Sequence, residues 1–272
     1  MRTDDHNIEL YYETFGFDHD PALLLISGLG SQLLGWSEEF CLGFVDRGFF
    51  VVRFDNRDIG LSSRVDESLQ YDLSDMAADG LAVLDALGVE KAHVVGMSMG
   101  GMIVQTLAIE HPERLLTATS IMSSTGVPGS NTSTPEALAA INTPAPLDRA
   151  EAIALDIVHR KVWASPEWFD EQAVTEYFEA AWDRSSNGRP DRQMAAIGAS
   201  GSREDLLTSI ATPTLVIHGD EDTLINISCG RRTAELIPDA EFLEIEGMGH
   251  DICVQAWPLI ISSVTNLAAR NA

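Results

Sequence analysis

The sequence predicts an α/β fold: a mostly parallel central sheet flanked by helices, carrying a helical cap insertion. Three features lead to that prediction. Short apolar runs alternate with helical patterns along most of the 272 residues, as expected of strands that crossover helices bury on both faces. The pentapeptide Gly96-Met97-Ser98-Met99-Gly100 stands between one such run and a helix-like stretch. The alternation stops from about residue 127 to residue 212, where the chain turns Ala-rich and acidic and no strong strand pattern is found.

Residues 8–14 read as an opening edge strand. Residues 22–26, 51–54, 93–95, 118–122, 214–217 and 242–245 read as central strands, each bounded by Gly, Pro, Asp or Ser. Ser74 is placed to N-cap a helix whose apolar stripe is Ala77, Leu81, Leu84 and Leu87, and Gly88 stops it. Trp257, Ile260, Ile261, Val264 and Ala268 repeat at helical spacing in a closing helix that begins near Pro258. The insertion holds prolines 128, 135, 144, 146, 166 and 190, with Trp163, Trp168, Phe169, Tyr177, Phe178 and Trp182. Val174, Tyr177, Phe178 and Ala181 share one helix face and read as the insertion's own small core, the other aromatics as pocket lining. The predicted organisation is a core of residues 1–126 and 213–272 with a cap, or lid, of residues 127–212.

Composition narrows the function. With 17 Lys and Arg against 42 Asp and Glu, the net charge of −25 argues against nucleic acid, anionic membranes and polyanionic substrates, and is read as a feature of solubility or of a saline cytoplasm. The first residues lack a basic n-region and an apolar h-region, and no run approaches membrane-spanning length, so a cytoplasmic monomer or homodimer is expected. Cys41, Cys229 and Cys253 are too scattered for a metal or disulfide framework and read as reduced packing residues.

The chemistry centres on Ser98. A G-x-S-x-G turn between strand and helix lifts a serine hydroxyl clear of the sheet, and Gly96 and Gly100 are there because side chains would clash in so tight a turn. Serine needs a base oriented by a carboxylate. Of seven histidines, His250 is favoured, because Gly247-Met248-Gly249-His250 follows the last strand; His218, ending the strand before it, is the rival. His6, His19, His93, His111 and His159 sit in less suitable places. Gly219-Asp220-Glu221-Asp222 offers three acids; Asp222 is preferred as the orienting acid, with Asp220 and Glu221 as solvated loop charges. The oxyanion donors are the backbone N–H of Met99, at a helix start, and that of Leu29 in Ser27-Gly28-Leu29-Gly30. Gly28 and Gly30 alone do not make a dinucleotide fingerprint, since position 33 is leucine. No metal or organic cofactor is called for.

Four segments together resemble the α/β-hydrolase fold family over nearly the whole chain: residues 24–30, 53–62, 93–101 and 247–250. The order Ser98, Asp222, His250 is also that family's order of nucleophile, acid and base. Within the family, Arg53-Phe54-Asp55-Asn56-Arg57-Asp58-Ile59-Gly60-Leu61-Ser62 and Gly247-Met248-Gly249-His250 are similar to those of the aclacinomycin methylesterases, hydrolases of polyketide methyl esters. Ser27 departs from the family pattern, where a His-Gly pair often precedes the oxyanion donor; Arg57 and Asp58 read as structural ties for a loop beside the site. The resemblance implies a serine ester hydrolase without fixing its substrate; the aromatic helical insertion, read as a lid over an apolar pocket, points to an uncharged, fairly hydrophobic carboxylic ester or lactone. The same triad would serve a cofactor-free perhydrolase, a thioesterase or a carbon–carbon bond hydrolase. Dehalogenase and epoxide-hydrolase chemistry are disfavoured by a serine at the nucleophile position, and a non-catalytic receptor by the presence of a full triad.

Overall fold

The computed structural model describes residues 2–5 and 8–271, so His6 lies outside the described residues. The chain begins with β1 (Arg2–Asp5), β2 (Ile8–Phe15), β3 (Ala22–Ile26), α1 (Glu38–Val45), β4 (Phe50–Phe54), α2 (Leu73–Ala86), β5 (Ala92–Met97), α3 (Met99–Glu110) and β6 (Leu115–Ile121). Five helices follow with no strand between them among the described residues: α4 (Pro135–Ile141), α5 (Arg149–Trp163), α6 (Glu171–Arg184), α7 (Pro190–Ser200) and α8 (Glu204–Leu207). β7 (Thr214–Gly219), α9 (Ile227–Leu236), β8 (Glu241–Ile245) and α10 (Trp257–Arg270) complete it.

Among the described residues the strands form one eight-stranded sheet in the order β1-β2-β4-β3-β5-β6-β7-β8. The β1/β2 and β2/β4 pairs are antiparallel and the rest parallel, so β3 to β8 all end at one edge of the sheet. Every residue of β3, β4 and β5 is buried, which is why these strands read as mainly apolar runs, interrupted only by Arg53 and His93. Their alternate side chains still serve different faces. Leu24, Ile26, Val52, Phe54 and Val94 pack with Leu84 of α2 and Ile103 of α3. Leu23, Leu25, Val51 and Val95 pack with Phe40 and Phe44 of α1 and Ile260 and Val264 of α10. Each such side chain contributes roughly 1.5–3 kcal/mol of burial.

Three expectations are corrected. The strand predicted at residues 8–14 is not the edge, because β1 pairs with it; the polar run Arg2-Thr3-Asp4-Asp5 has no apolar alternation to betray a strand. The N-cap of α2 is Asp72, not Ser74: its carboxylate accepts from the N–H groups of Ser74 and Asp75, and Asp75 reaches back to the Asp72 N–H. Ser74 instead donates to Glu110. Gly88 does stop that helix, with φ +70°.

The third concerns Val174, Tyr177, Phe178 and Ala181, which are half-buried on a helix with no fully buried residue, not the closed core of a small unit. The Arg160 guanidinium of α5 covers Tyr177 and Phe178 at 5.7 and 5.5 Å from the ring centroids. Tyr177 reaches down to hydrogen-bond Ser31, in the loop after β3. The α5–α6 pair is one layer of helices, and its aromatic face takes part of its cover from that loop.

Cys41, Cys229 and Cys253 are free thiols. Among the described residues no helix is long and apolar enough to cross a membrane.

Candidate active site

Parallel strands place the three residues of interest at one edge of the sheet: Ser98 directly after β5, Asp222 after β7 and His250 after β8. Ser98 has φ 55° and ψ −119°, a left-handed conformation that costs a non-glycine residue about 1–3 kcal/mol. The surroundings hold it there. A Cβ on Gly96 would collide with the Gly100 carbonyl, and one on Gly100 with the Ile26 carbonyl. The Ser98 N–H donates to the Ile121 carbonyl at 2.9 Å, and the Ser98 carbonyl accepts from Gly101 N–H at 2.9 Å and Ser123 Oγ at 2.8 Å. Its side chain remains partly exposed.

Met99 is the first residue of α3, where a backbone N–H has no acceptor within the helix. The loop after β3 lies against the same turn: a Cβ on Gly28 would stand 3.2 Å from Ser98 Cβ. The Leu29 N–H donates to no group among the described residues. In place of the His-Gly pair, Ser27 is steadied by Asn56, whose Nδ2 donates to the Ser27 carbonyl at 3.1 Å, and Gln193 of α7 accepts from the Gly30 N–H at 2.9 Å.

At the other end of the site, His250 Nδ1 meets Asp222 Oδ2 at 2.6 Å, both side chains being buried. Asp222 Oδ1 accepts from the N–H groups of Leu224 at 2.9 Å and Ile225 at 2.7 Å. Burial pushes the Asp222 carboxyl up, but the two imidazoles at its other oxygen overcome this and hold it at about 2. His218 is wholly buried, with Nε2 2.7 Å from the Ile225 carbonyl and 3.3 Å from Asp222 Oδ2. Asp220 and Glu221 are exposed, yet Asp220 is more than a solvated charge, because it accepts from the Gly247 N–H at 2.7 Å. The structure thus joins Asp222 to His250. It gives Ser98 Oγ no hydrogen bond to either among the described residues.

Helix α5 grips the histidine loop, a feature the sequence reading missed. The His250 N–H donates to the Trp163 carbonyl at 2.6 Å. Ser165, wholly buried, accepts from the Gly249 N–H at 2.9 Å and donates through Oγ and N–H to Asp251 Oδ1 at 2.7 and 2.9 Å. A Cβ on Gly249 would run into the backbone of residues 163–165. Only the glycine beside the histidine hinted at so close a neighbour.

The 53–62 segment ties the loops together. Arg57 forms a buried two-pronged bond to Asp79 at 2.6 and 2.8 Å, and Asp58, at φ 69°, accepts from the Val65 N–H at 2.8 Å. Asp55 accepts from the Leu33 and Leu61 N–H groups at 2.8 and 2.9 Å and pairs with Arg184 of α6 at 2.7 Å. Arg184 also donates to Gln32, whose amide caps the Ala181 and Ser185 carbonyls. Arg184 was not singled out by sequence. Among the described residues no three His, Cys, Asp or Glu side chains converge as a metal-binding group.

A strained serine between a parallel strand and a helix, with a carboxylate–imidazole pair at the same sheet edge, defines a class, and comparison with known proteins gives the same one. The chain belongs to the α/β-hydrolase family, whose alpha/beta hydrolase fold model matches residues 21–256. It is 34% identical to rhodomycin D methylesterase DnrP of Streptomyces peucetius over 92% of this chain and 91% of that protein. It is 28% identical to the 2-hydroxy-6-oxononadienedioate/2-hydroxy-6-oxononatrienedioate hydrolase of a Pseudomonas species, over 85% and 82%. Among solved structures, the esterase RhEst1 from Rhodococcus sp. ECU1013 superposes with a TM-score of 0.81 at 22% identity, covering 100% of this chain and 98% of that one. The methylesterase resemblance read from residues 53–62 and 247–250 agrees with the first of these relatives.

Proposed function

We propose that the chain hydrolyses an uncharged, fairly hydrophobic carboxylic ester, such as a methyl ester or a lactone, through an acyl-enzyme on Ser98. Ser98 Oγ attacks the ester carbonyl while His250 Nε2 takes its proton; His250 then returns that proton to the leaving alcohol, and water repeats the sequence on the acyl-enzyme. Asp222 holds the His250 tautomer through Nδ1. The N–H groups of Leu29 and Met99 receive the oxyanion, each worth about 10²- to 10³-fold in turnover. Residues 127–212 act as the cap, and the half-buried aromatic face of α6 supplies apolar contacts for the substrate.

The observation that carries this reading is the 2.6 Å bond from His250 Nδ1 to Asp222, which leaves Nε2 for a proton at the edge where Ser98 stands. The methylesterase relative supports the ester, and the net charge of −25 disfavours a polyanionic substrate.

Ser98→Ala is expected to abolish hydrolysis of p-nitrophenyl esters with its thermal melt unchanged, and a fluorophosphonate probe should label wild type stoichiometrically at Ser98. Retained turnover in Ser98→Ala would refute the assignment. Thioester and vinylogous diketone substrates, assayed beside aromatic methyl esters and lactones, separate ester cleavage from the other reactions the triad serves.

A further inference from the structure

β7 ends on a side chain that a purely apolar core does not need. His218 lies on the strand face opposite Leu215 and Ile217, which pack toward α1 and α10. Its ring rests on Gly230 of α9, where a Cβ would collide with Nδ1. Glycine inside a helix costs about 1 kcal/mol relative to alanine, so α9 gives up stability to admit this ring. Nδ1 has no hydrogen-bond partner among the described residues, whereas Nε2 faces two oxygens, the Ile225 carbonyl at 2.7 Å and Asp222 Oδ2 at 3.3 Å. Two acceptors against one nitrogen require a proton on Nε2. A leucine would fill this space without stranding Nδ1. What the imidazole adds is an N–H that bonds the Ile225 carbonyl and also stands 3.3 Å from Asp222 Oδ2, the oxygen that accepts from His250 Nδ1 at 2.6 Å.

We propose that His218 is a positioning residue for hydrolysis: its Nε2–H shares the Asp222 oxygen with His250, fixing the carboxylate's rotation and tempering its pull on the proton of His250. The inference rests on the Ser98, His250, Asp222 reading above. An N–H shared between the Ile225 carbonyl and Oδ2 weakens that oxygen as a partner for the His250 imidazolium and points the positive end of its dipole toward it. The other titratable groups nearby are few. Cys229 on α9 has its thiol pushed up by burial and by Asp222; Asp251 beside His250 is tied to Ser165; Asp220 and Glu221 are exposed in the turn. From α5 the contacts are uncharged backbone, the Trp163 carbonyl at His250 and the Val162 carbonyl at Thr223. Replacing His218 removes none of these groups.

The test is the pH profile of kcat/KM for p-nitrophenyl acetate in wild type, His218→Leu, His218→Asn, His218→Gln and Ser98→Ala. In His218→Leu the acid-limb midpoint is expected to rise by about one pH unit and kcat to fall roughly ten-fold, with a smaller change in KM. His218→Gln, whose amide nitrogen reaches the Nε2 position, keeps the wild-type midpoint. His218→Asn, whose amide ends near the Nδ1 position, shifts as the leucine variant does and stands in for it if that one does not fold. An unmoved midpoint in the Leu and Asn variants, or a Gln variant that behaves like Leu, overturns the proposal. Turnover surviving in Ser98→Ala sinks the triad reading itself; a dead Ser98→Ala beside unshifted His218 variants sinks only the role of His218.

Discussion

Four donors converge on the Asp222 carboxylate: the N–H groups of Leu224 and Ile225 on one oxygen, His250 Nδ1 and His218 Nε2 on the other. An amide cannot accept from all four. In Asp222→Asn either orientation sets an NH₂ group against a donor, and the cheapest relief is for His250 to move its proton to Nε2, which would stop it from taking the Ser98 proton that the proposed mechanism requires. The variant is expected to lose about 10⁴-fold in kcat while its far-UV circular dichroism matches wild type; turnover within ten-fold of wild type would show that Asp222 does not orient the base. Residues whose demands are local could be read from the sequence. Gly96 and Gly100 are required by the turn around Ser98, so the pentapeptide announces itself. Ser165 and Arg184 could not be read, because their partners lie 86 and 152 positions away, at Asp251 and Gln32, and no spacing rule links them.

At the scale of elements, the central strands were legible because burial on both faces leaves a mainly apolar run, while β1 was not, since an edge strand of polar residues owes its existence to β2 alone. The run of helices between β6 and β7 was legible as a stretch without strands, but not how it meets the loops of the sheet. That contact is strongest where the end of α5 meets the loop after β8. Removing the Ser165 hydroxyl leaves the buried Gly249 N–H without its acceptor and the half-buried Asp251 with one donor fewer. Ser165→Ala is therefore expected to lose about 1–3 kcal/mol of stability in urea titration. Because the same loop carries His250, its kcat should also fall roughly ten-fold with little change in KM, and Ser165→Thr should recover most of it. A variant that loses stability but keeps full kcat would make the α5 contact a fold anchor with no hold on the base.

For the molecule as a whole, acidification acts through opposing groups. The net charge of −25 means that protonating carboxylates relieves self-repulsion, so the total stability curve mixes many contributions, and single buried groups must be isolated by difference. His93, almost wholly buried in β5 with Nδ1 2.9 Å from Thr117 Oγ1, is lowered by burial to about 4 from its ordinary 6.5. The unfolded chain then takes up this proton first as pH falls. The benefit of a neutral His93 is complete above pH 6.5, declines down to about pH 4 and is gone below it, a loss of roughly 3 kcal/mol. Asp156 on α5 works the other way: burial, partly offset by Arg160, raises it to about 6, so its contribution is complete below its ordinary 3.8 and is lost as pH rises through about 6. Between about pH 4 and 6 the two slopes oppose one another, and wild type alone shows little of either. Measured by urea titration against His93→Asn, which keeps a polar atom near Thr117, the stability advantage of wild type should shrink as pH falls from neutral toward 4. Measured against Asp156→Asn, it should shrink as pH rises over the same range. Parallel curves for either pair would mean that the group in question titrates as it does in the unfolded chain, and that its burial carries no proton linkage.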